Sequence, residues 1–144
     1  MAYGNEYTSY VGKRALLVEP DLKLRAILRA RLEALGISAE EAVCGVEAVV
    51  AARSQTPEVI LLDYQLRDVN GYELVRWLRS NPKLADVPII VMNAPLKDRE
   101  ALAAEGIRLF LALPAPREGV ETVIKTAFHA IREGRHDREA APKS

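Results

Sequence analysis

Two carboxylates stand where short apolar runs end. Glu19 follows the run Arg14–Val18 (RALLV), and Asp63 closes the run Val59–Asp63 (VILLD). Such runs read as buried strands, and in open α/β sheets ligands bind beyond the carboxyl ends of the strands. Glu19 and Asp63 are therefore expected side by side at the ends of neighbouring central strands. Two carboxylates at one edge repel unless a proton or a cation lies between them. A hard divalent cation such as Mg²⁺ takes oxygen ligands of this kind, keeps several waters and often shares a phosphate. The fourth apolar run, Pro88–Met92, leads into Asn93-Ala94-Pro95, and the fifth, Arg108–Leu113, leads into Pro114.

Other chemistries find no residues. No Gly-rich dinucleotide fingerprint follows the first strand, and there is no P-loop lysine signature. A Gly-x-Ser-x-Gly elbow is missing too. The single cysteine, Cys44, can form neither an internal disulfide nor a metal cluster, and reads as a small buried or half-buried filler. His129 and His136 lack a catalytic partner pattern and read as surface residues. No enzyme activity on a small molecule is expected. The 144-residue chain carries 20 basic and 20 acidic residues, so it has no basic field for nucleic acid or anionic membrane. The longest apolar runs, such as Leu109–Ala115, are too short to span a bilayer, and a signal-peptide pattern is lacking. A cytoplasmic protein is expected.

The elements that must position the carboxylates follow from periodicity. Five strands are predicted: Arg14–Val18, a weaker Ile37–Val43, Val59–Asp63, Pro88–Met92 and Arg108–Leu113. Helices alternate with them. Leu22–Leu35 places Leu24, Ile27, Leu28, Leu32 and Leu35 on one face, with Asp21 as N-cap and Gly36 as C-cap. Val46, Val49 and Val50 mark a second helix that ends before Pro57. Tyr72–Arg79 is the third, with Trp77 read as packing. Asp98–Glu105 is the fourth, closed by Gly106, and Glu118–Glu133 is the fifth. Strands apolar throughout imply a parallel sheet covered on both faces, a doubly wound α/β fold. Residues 13–133 read as one domain. Residues 1–12, with Tyr3, Tyr7 and Tyr10, read as a flexible N-terminal extension, and residues 134–144 as a flexible tail.

Taken together, the segments resemble a known family. PEVILLDYQLRDVNGYELVRWLR is similar to the third strand, loop and helix of response-regulator receiver domains, the phospho-accepting modules of two-component phosphorelay signalling. Asp63 falls at that family's phospho-acceptor and Gly71 at its glycine eight residues later. ALLVEPD and VPIIVMNAP match the first and fourth strands, and EGIRLFLALPAP the fifth with its proline. The resemblance covers roughly residues 13–133. It implies strand order 2-1-3-4-5 and a cis Leu113–Pro114 bond. It implies Mg²⁺ held by Glu19, Asp63 and the backbone carbonyl of Gln65, and a phosphoryl group bonded near Asn93 and Ala94. Phe110, Leu113 and Pro114 fall at its switch positions. The implied partners are a histidine kinase or phosphotransfer protein and a downstream target. The target would bind the fourth helix, fifth strand and fifth helix, a face that also supports homodimers.

The departures define an alternative. Pro20 stands where a second acidic residue is usual, Asn93 where Thr or Ser is usual, and Leu113 where a lysine neutralises phosphoryl oxygens. Loss of that charge-assisted contact is worth about 1.5–3 kcal/mol. Two readings follow. The first is a stand-alone receiver phosphorylated on Asp63 that signals by protein binding. The second is a degenerate receiver that binds its partner without phosphorylation.

Overall fold

The computed structural model describes residues 10–140, and the side chains of residues 10–129. Tyr3, Tyr7 and Pro142 lie outside the described residues, as does the side chain of His136. Five strands form one parallel sheet: β1 (Arg14–Val18), β2 (Ser38–Ala42), β3 (Val59–Asp63), β4 (Ile89–Met92) and β5 (Leu109–Leu111). Their order is β2-β1-β3-β4-β5. The helices are α1 (Leu22–Ala34), α2 (Gly45–Ser54), α3 (Gly71–Arg79), α4 (Arg99–Ala104) and α5 (Arg117–Ala140). Short 3₁₀ turns, Pro82–Leu84 and Leu96–Asp98, precede β4 and α4.

Alternation along the central strands splits the core into two halves. Leu16, Val18, Ile60, Leu62 and Val91 face Ala48 and Ala52 of α2, Leu74, Val75 and Leu78 of α3, and Leu102 of α4. Ala15, Leu17, Leu61, Ile90 and Met92 face Leu28 and Leu32 of α1 and Val120, Ile124 and Ala127 of α5. Every residue of β3 is buried, as is every residue of β4, so Asp63 is carried on a fully enclosed strand. In register, β3 pairs Leu62 with Val18 of β1 and Asp63 with Met92 of β4. The strand order implied by the resemblance and the two-faced covering expected from the apolar strands are what the fold shows.

Local signals explain the helix ends beside the site. The Asp21 side chain accepts from Leu24 N–H at 2.9 Å and caps α1. Gly36, at φ +86°, turns the chain out of α1 while Ile37 N–H reaches back to Leu32 C=O at 3.0 Å.

Several expectations need correction. On α2, Val46 and Val50 face outward at 56% and 60% exposure. The inward face is Gly45, Ala48, Ala51 and Ala52, because small residues let the helix lie close on β1 and β2. Ile27 is 51% exposed rather than part of the inner stripe, which in α1 is narrow and rests on Leu28 and Leu32. Trp77, read as packing, is 44% exposed. β5 spans Leu109–Leu111 and is shorter than expected, since its one strand neighbour is the four-residue β4. α5 runs to Ala140, past the Glu133 at which the fifth helix was expected to end. Its last residues, Arg135–Ala140, include good helix formers. Tyr10, placed with the N-terminal extension, packs in a tilted contact on Phe128, with ring planes at 58° and centroids 5.2 Å apart.

Candidate functional site at the carboxyl edge of the sheet

Glu19 and Asp63 meet, as the strand ends required. Glu19 continues the β1 ladder, its N–H donating to Ala42 C=O at 3.0 Å, and its side chain is 1% exposed. One carboxylate oxygen, Oε2, accepts from Asp21 N–H at 3.0 Å. The other, Oε1, is buried with no hydrogen-bond partner. Asp63 is 7% exposed, and its Oδ1 accepts from Gln65 N–H at 2.8 Å. The two carboxyl groups interact directly. Burial, first, and then the adjoining Asp63 carboxyl group push the Glu19 carboxyl up to about 7. The field of Asp63 adds to this, and the Asp21 N–H opposes it. Near neutral pH Glu19 is therefore partly protonated.

The loops around the pair are fixed by contacts the sequence did not announce. Arg25 Nη1 donates to the Glu19 carbonyl at 2.8 Å, and Arg25 Nε to Glu41 Oε1 at 2.9 Å, clamping the turn that contains Pro20. After β3, Asp68 accepts from Gly45 and Val46 N–H, both at 2.9 Å, and so caps α2 across the loop. Those backbone donors hold its carboxyl below the usual range. Gly71 N–H donates to Tyr64 C=O at 2.7 Å, and a Cβ at Gly71 would lie 2.8 Å from Tyr64 Cα. The glycine eight residues after Asp63 is thus a close-approach residue. It lets the α3 start fold back on the residue following the acid.

On the far side of the cleft, Asn93 adopts φ +57°, a left-handed conformation that Asn tolerates well. Its N–H donates to Leu111 C=O at 2.9 Å, and its Oδ1 accepts from Leu113 N–H at 2.8 Å. The Asn93 side-chain oxygen is thereby engaged in tying β4 to the end of β5. Ala94 is buried at 8%, Leu113 packs half-buried against the α1–α5 half of the core, and Pro114 is exposed. The Leu113–Pro114 bond is cis, as the resemblance implied. Phe110 is half-buried with the Arg99 guanidinium 4.8 Å above its ring centroid. Tyr64 O–H donates to Asp98 Oδ2 at 2.8 Å, and burial together with that bond pushes Tyr64 up to about 12. Tyr64, Asp98 and Arg99 were not singled out from the sequence. Their contacts span more than ten residues of chain and follow from topology alone.

The donor set suits a hard cation. Glu19 and Asp63 supply two carboxylates, Gln65 places main chain beside them, and Glu19 Oε1 is a buried oxygen wanting a partner. Among the described residues no group of three acidic, His or Cys side chains is assembled. A metal here would keep several waters, as Mg²⁺ does.

Comparison with known proteins decides the family. Residues 15–125 match the response regulator receiver domain. The chain belongs to that family. This receiver is 31% identical over 104 residues to the polar-differentiation response regulator DivK of Brucella ovis, covering 71% of this chain and 85% of that protein. It is 40% identical over 81 residues to the gliding motility regulatory protein of Myxococcus xanthus, but the match spans only 10% of that protein. Among solved structures, the receiver domain of the sensor histidine kinase PA1611 of Pseudomonas aeruginosa superposes with TM-score 0.74 and 30% identity. That match covers 83% of this chain and 99% of that one, and the PA1611 domain carries a magnesium ion coordinated in its active-site cleft. The chemotaxis protein CheY4 of Vibrio cholerae shares the fold at TM-score 0.75 and 21% identity, over 80% of this chain and 98% of that one. The receiver is thus a two-component signalling module. Among its described residues no helix is long and apolar enough to cross a membrane.

Proposed function

We propose that this receiver accepts a phosphoryl group on Asp63 from a histidine kinase or phosphotransfer protein and signals by binding another protein. The observation that carries the proposal is the buried Glu19–Asp63 pair at the carboxyl edge, with Glu19 Oε1 unpartnered. An Asp63 carboxylate oxygen attacks phosphorus, the donor's P–N or P–O bond breaks, and the leaving group departs with its electron pair. Glu19, Asp63 and the Gln65 carbonyl would hold Mg²⁺, which when bound neutralises charge on the phosphoryl oxygens. The rim supports docking of the donor: Leu22, at the start of α1, and Leu96, at the start of the 3₁₀ turn after β4, are 70% and 80% exposed. An apolar partner surface can seat there while its phosphoryl group enters between them. The downstream target would use the face of α4, β5 and α5, which is also the face proposed for homodimers by family resemblance. Intact-mass measurement after incubation with acetyl phosphate and Mg²⁺ tests the proposal. A single phosphoryl adduct is expected on the native chain and none on Asp63→Asn. Equal adducts on both, or none on either, overturn it.

Specific contacts favour a second reading, in which the signalling face is held in one state and binds its target without phosphorylation. The Asn93 oxygen is engaged by Leu113 N–H, Tyr64 holds Asp98, and Arg99 covers Phe110. Leu113 offers no ammonium to a phosphoryl group. This reading predicts that target affinity is the same for the native chain and Asp63→Asn, with and without acetyl phosphate.

A further inference from the structure

The outward face of α2 is apolar at its centre and oppositely charged toward its two ends. Val46, Glu47, Val50, Arg53 and Ser54 are all exposed, which puts them on one side of the helix. Val46, Val49, Val50, Arg53, Trp77 and Ser80 line a shallow groove between α2 and α3. Val46 and Val50 are 56% and 60% exposed and Trp77 is 44% exposed. Its first turn abuts the loop after β3, where Asp68 caps α2, and the rest of the helix lies over β1 and β2. The other exposed large apolar side chains of the described residues are Val11, Leu22, Ile27 and Leu96, none of them within α4, β5 or α5.

We infer that the exposed face of α2, with Trp77 at its side, is a self-association surface on which a second copy of this chain packs its own α2 antiparallel about a two-fold axis through Val50.

The charge pattern identifies the occupant. Glu47 and Arg53 lie three residues before and three residues after Val50. At a rise of about 1.5 Å per residue, each stands roughly 4.5 Å from the level of Val50 along the helix. A two-fold axis at Val50 with antiparallel helices therefore brings each Arg53 level with the other copy's Glu47. The same operation sets Val50 against Val50 and Val46 near Ser54. Such an isologous contact is self-complementary. Both charges are available for it. Arg53 makes no ion pair among the described residues. Glu47 accepts only a long 3.3 Å contact from Val43 N–H. A formal net charge of zero removes long-range repulsion between copies. A parallel arrangement, or a uniformly acidic or basic partner, would leave like charges opposed at one end.

One short helix and one flanking indole make a small interface, below about 1,200 Å², so the association is weak and half-complete near about 0.1–1 mM. Sedimentation velocity on the native chain across that range tests it, with emission of the single tryptophan, Trp77, as a second readout. A monomer–dimer equilibrium is expected, with Trp77 emission moving to shorter wavelength as the dimer forms. Val50→Glu puts two carboxylates on the axis and should weaken the dimer at least about thirtyfold, leaving the thermal melt unchanged because Val50 is exposed. Arg53→Glu should weaken it about fivefold, and Glu47→Arg combined with Arg53→Glu should restore it. A chain monomeric throughout the range overturns the inference. So does a dimer indifferent to Val50→Glu, which would place the contact on another face.

Discussion

At the scale of single residues, the protein's behaviour turns on Glu19. Its carboxyl ordinarily titrates near 4.5 and in the folded chain is pushed up to about 7, chiefly by burial. The folded state therefore holds this proton more tightly than the unfolded state. The stability this contributes is complete below about pH 4.5 and is lost as pH rises through about 7. Glu19→Gln keeps the shape and removes the charge. In the absence of divalent ions it should be more stable than the native chain by about 1–3 kcal/mol at pH 8, and the difference should close toward pH 4.5. Urea midpoints of both proteins at the two pH values measure this; a native chain more stable than the variant at pH 8 would contradict it. Leu113 gives the opposite kind of test. Leu113→Lys supplies an ammonium where the chain has none and should tighten beryllofluoride binding about 10- to 100-fold, read by titration in Mg²⁺. No change would mean that residue 113 does not face the phosphoryl position. Glu19 and Asp63 were legible because a carboxylate after an apolar strand has one place to go. The bond from Leu113 N–H to Asn93 was not, since it joins residues twenty apart through a left-handed turn.

At the scale of elements, strands were read well and helix faces less well. β1, β3 and β4 are apolar runs buried along nearly their whole length, so composition alone locates them. α2 was read by its valines, yet its alanines face the sheet. In a helix seated close on two strands, small size outweighs hydrophobicity, and periodicity counts only the latter. Ala48→Leu, at a fully buried position, should therefore cost about 1–3 kcal/mol by overpacking, whereas Val46→Ser on the exposed side should stay within about 0.5 kcal/mol. Chemical denaturation of the two variants decides which face is inside. Equal losses would show that both faces pack. Trp77 was misjudged for a related reason: a large aromatic in a helix is usually covered, and here it borders an open groove.

At the scale of the whole molecule, the sheet order brings Glu19, Asp63 and Asn93 to one edge, leaves Leu22 and Leu96 beside them, and seats α2 over β1 and β2 with its valines outward. The proposed phosphoryl chemistry, target binding and self-association are thus assigned to different elements of one module. The chain has the acidic pair but carries Pro20, Asn93 and Leu113 where the family commonly has an acid, a hydroxyl and a lysine, so the proposed binding at Asp63 and the proposed relay to α4 and β5 call for separate tests. The most direct test of the central claim, that Glu19 and Asp63 form one cleft for a divalent cation and a phosphoryl group, is an amide NMR titration with Mg²⁺ and beryllofluoride. Shifts should centre on Glu19, Asp63 and Gln65 and vanish in Asp63→Asn. Silence at millimolar reagent, or the same shifts in the variant, would contradict it.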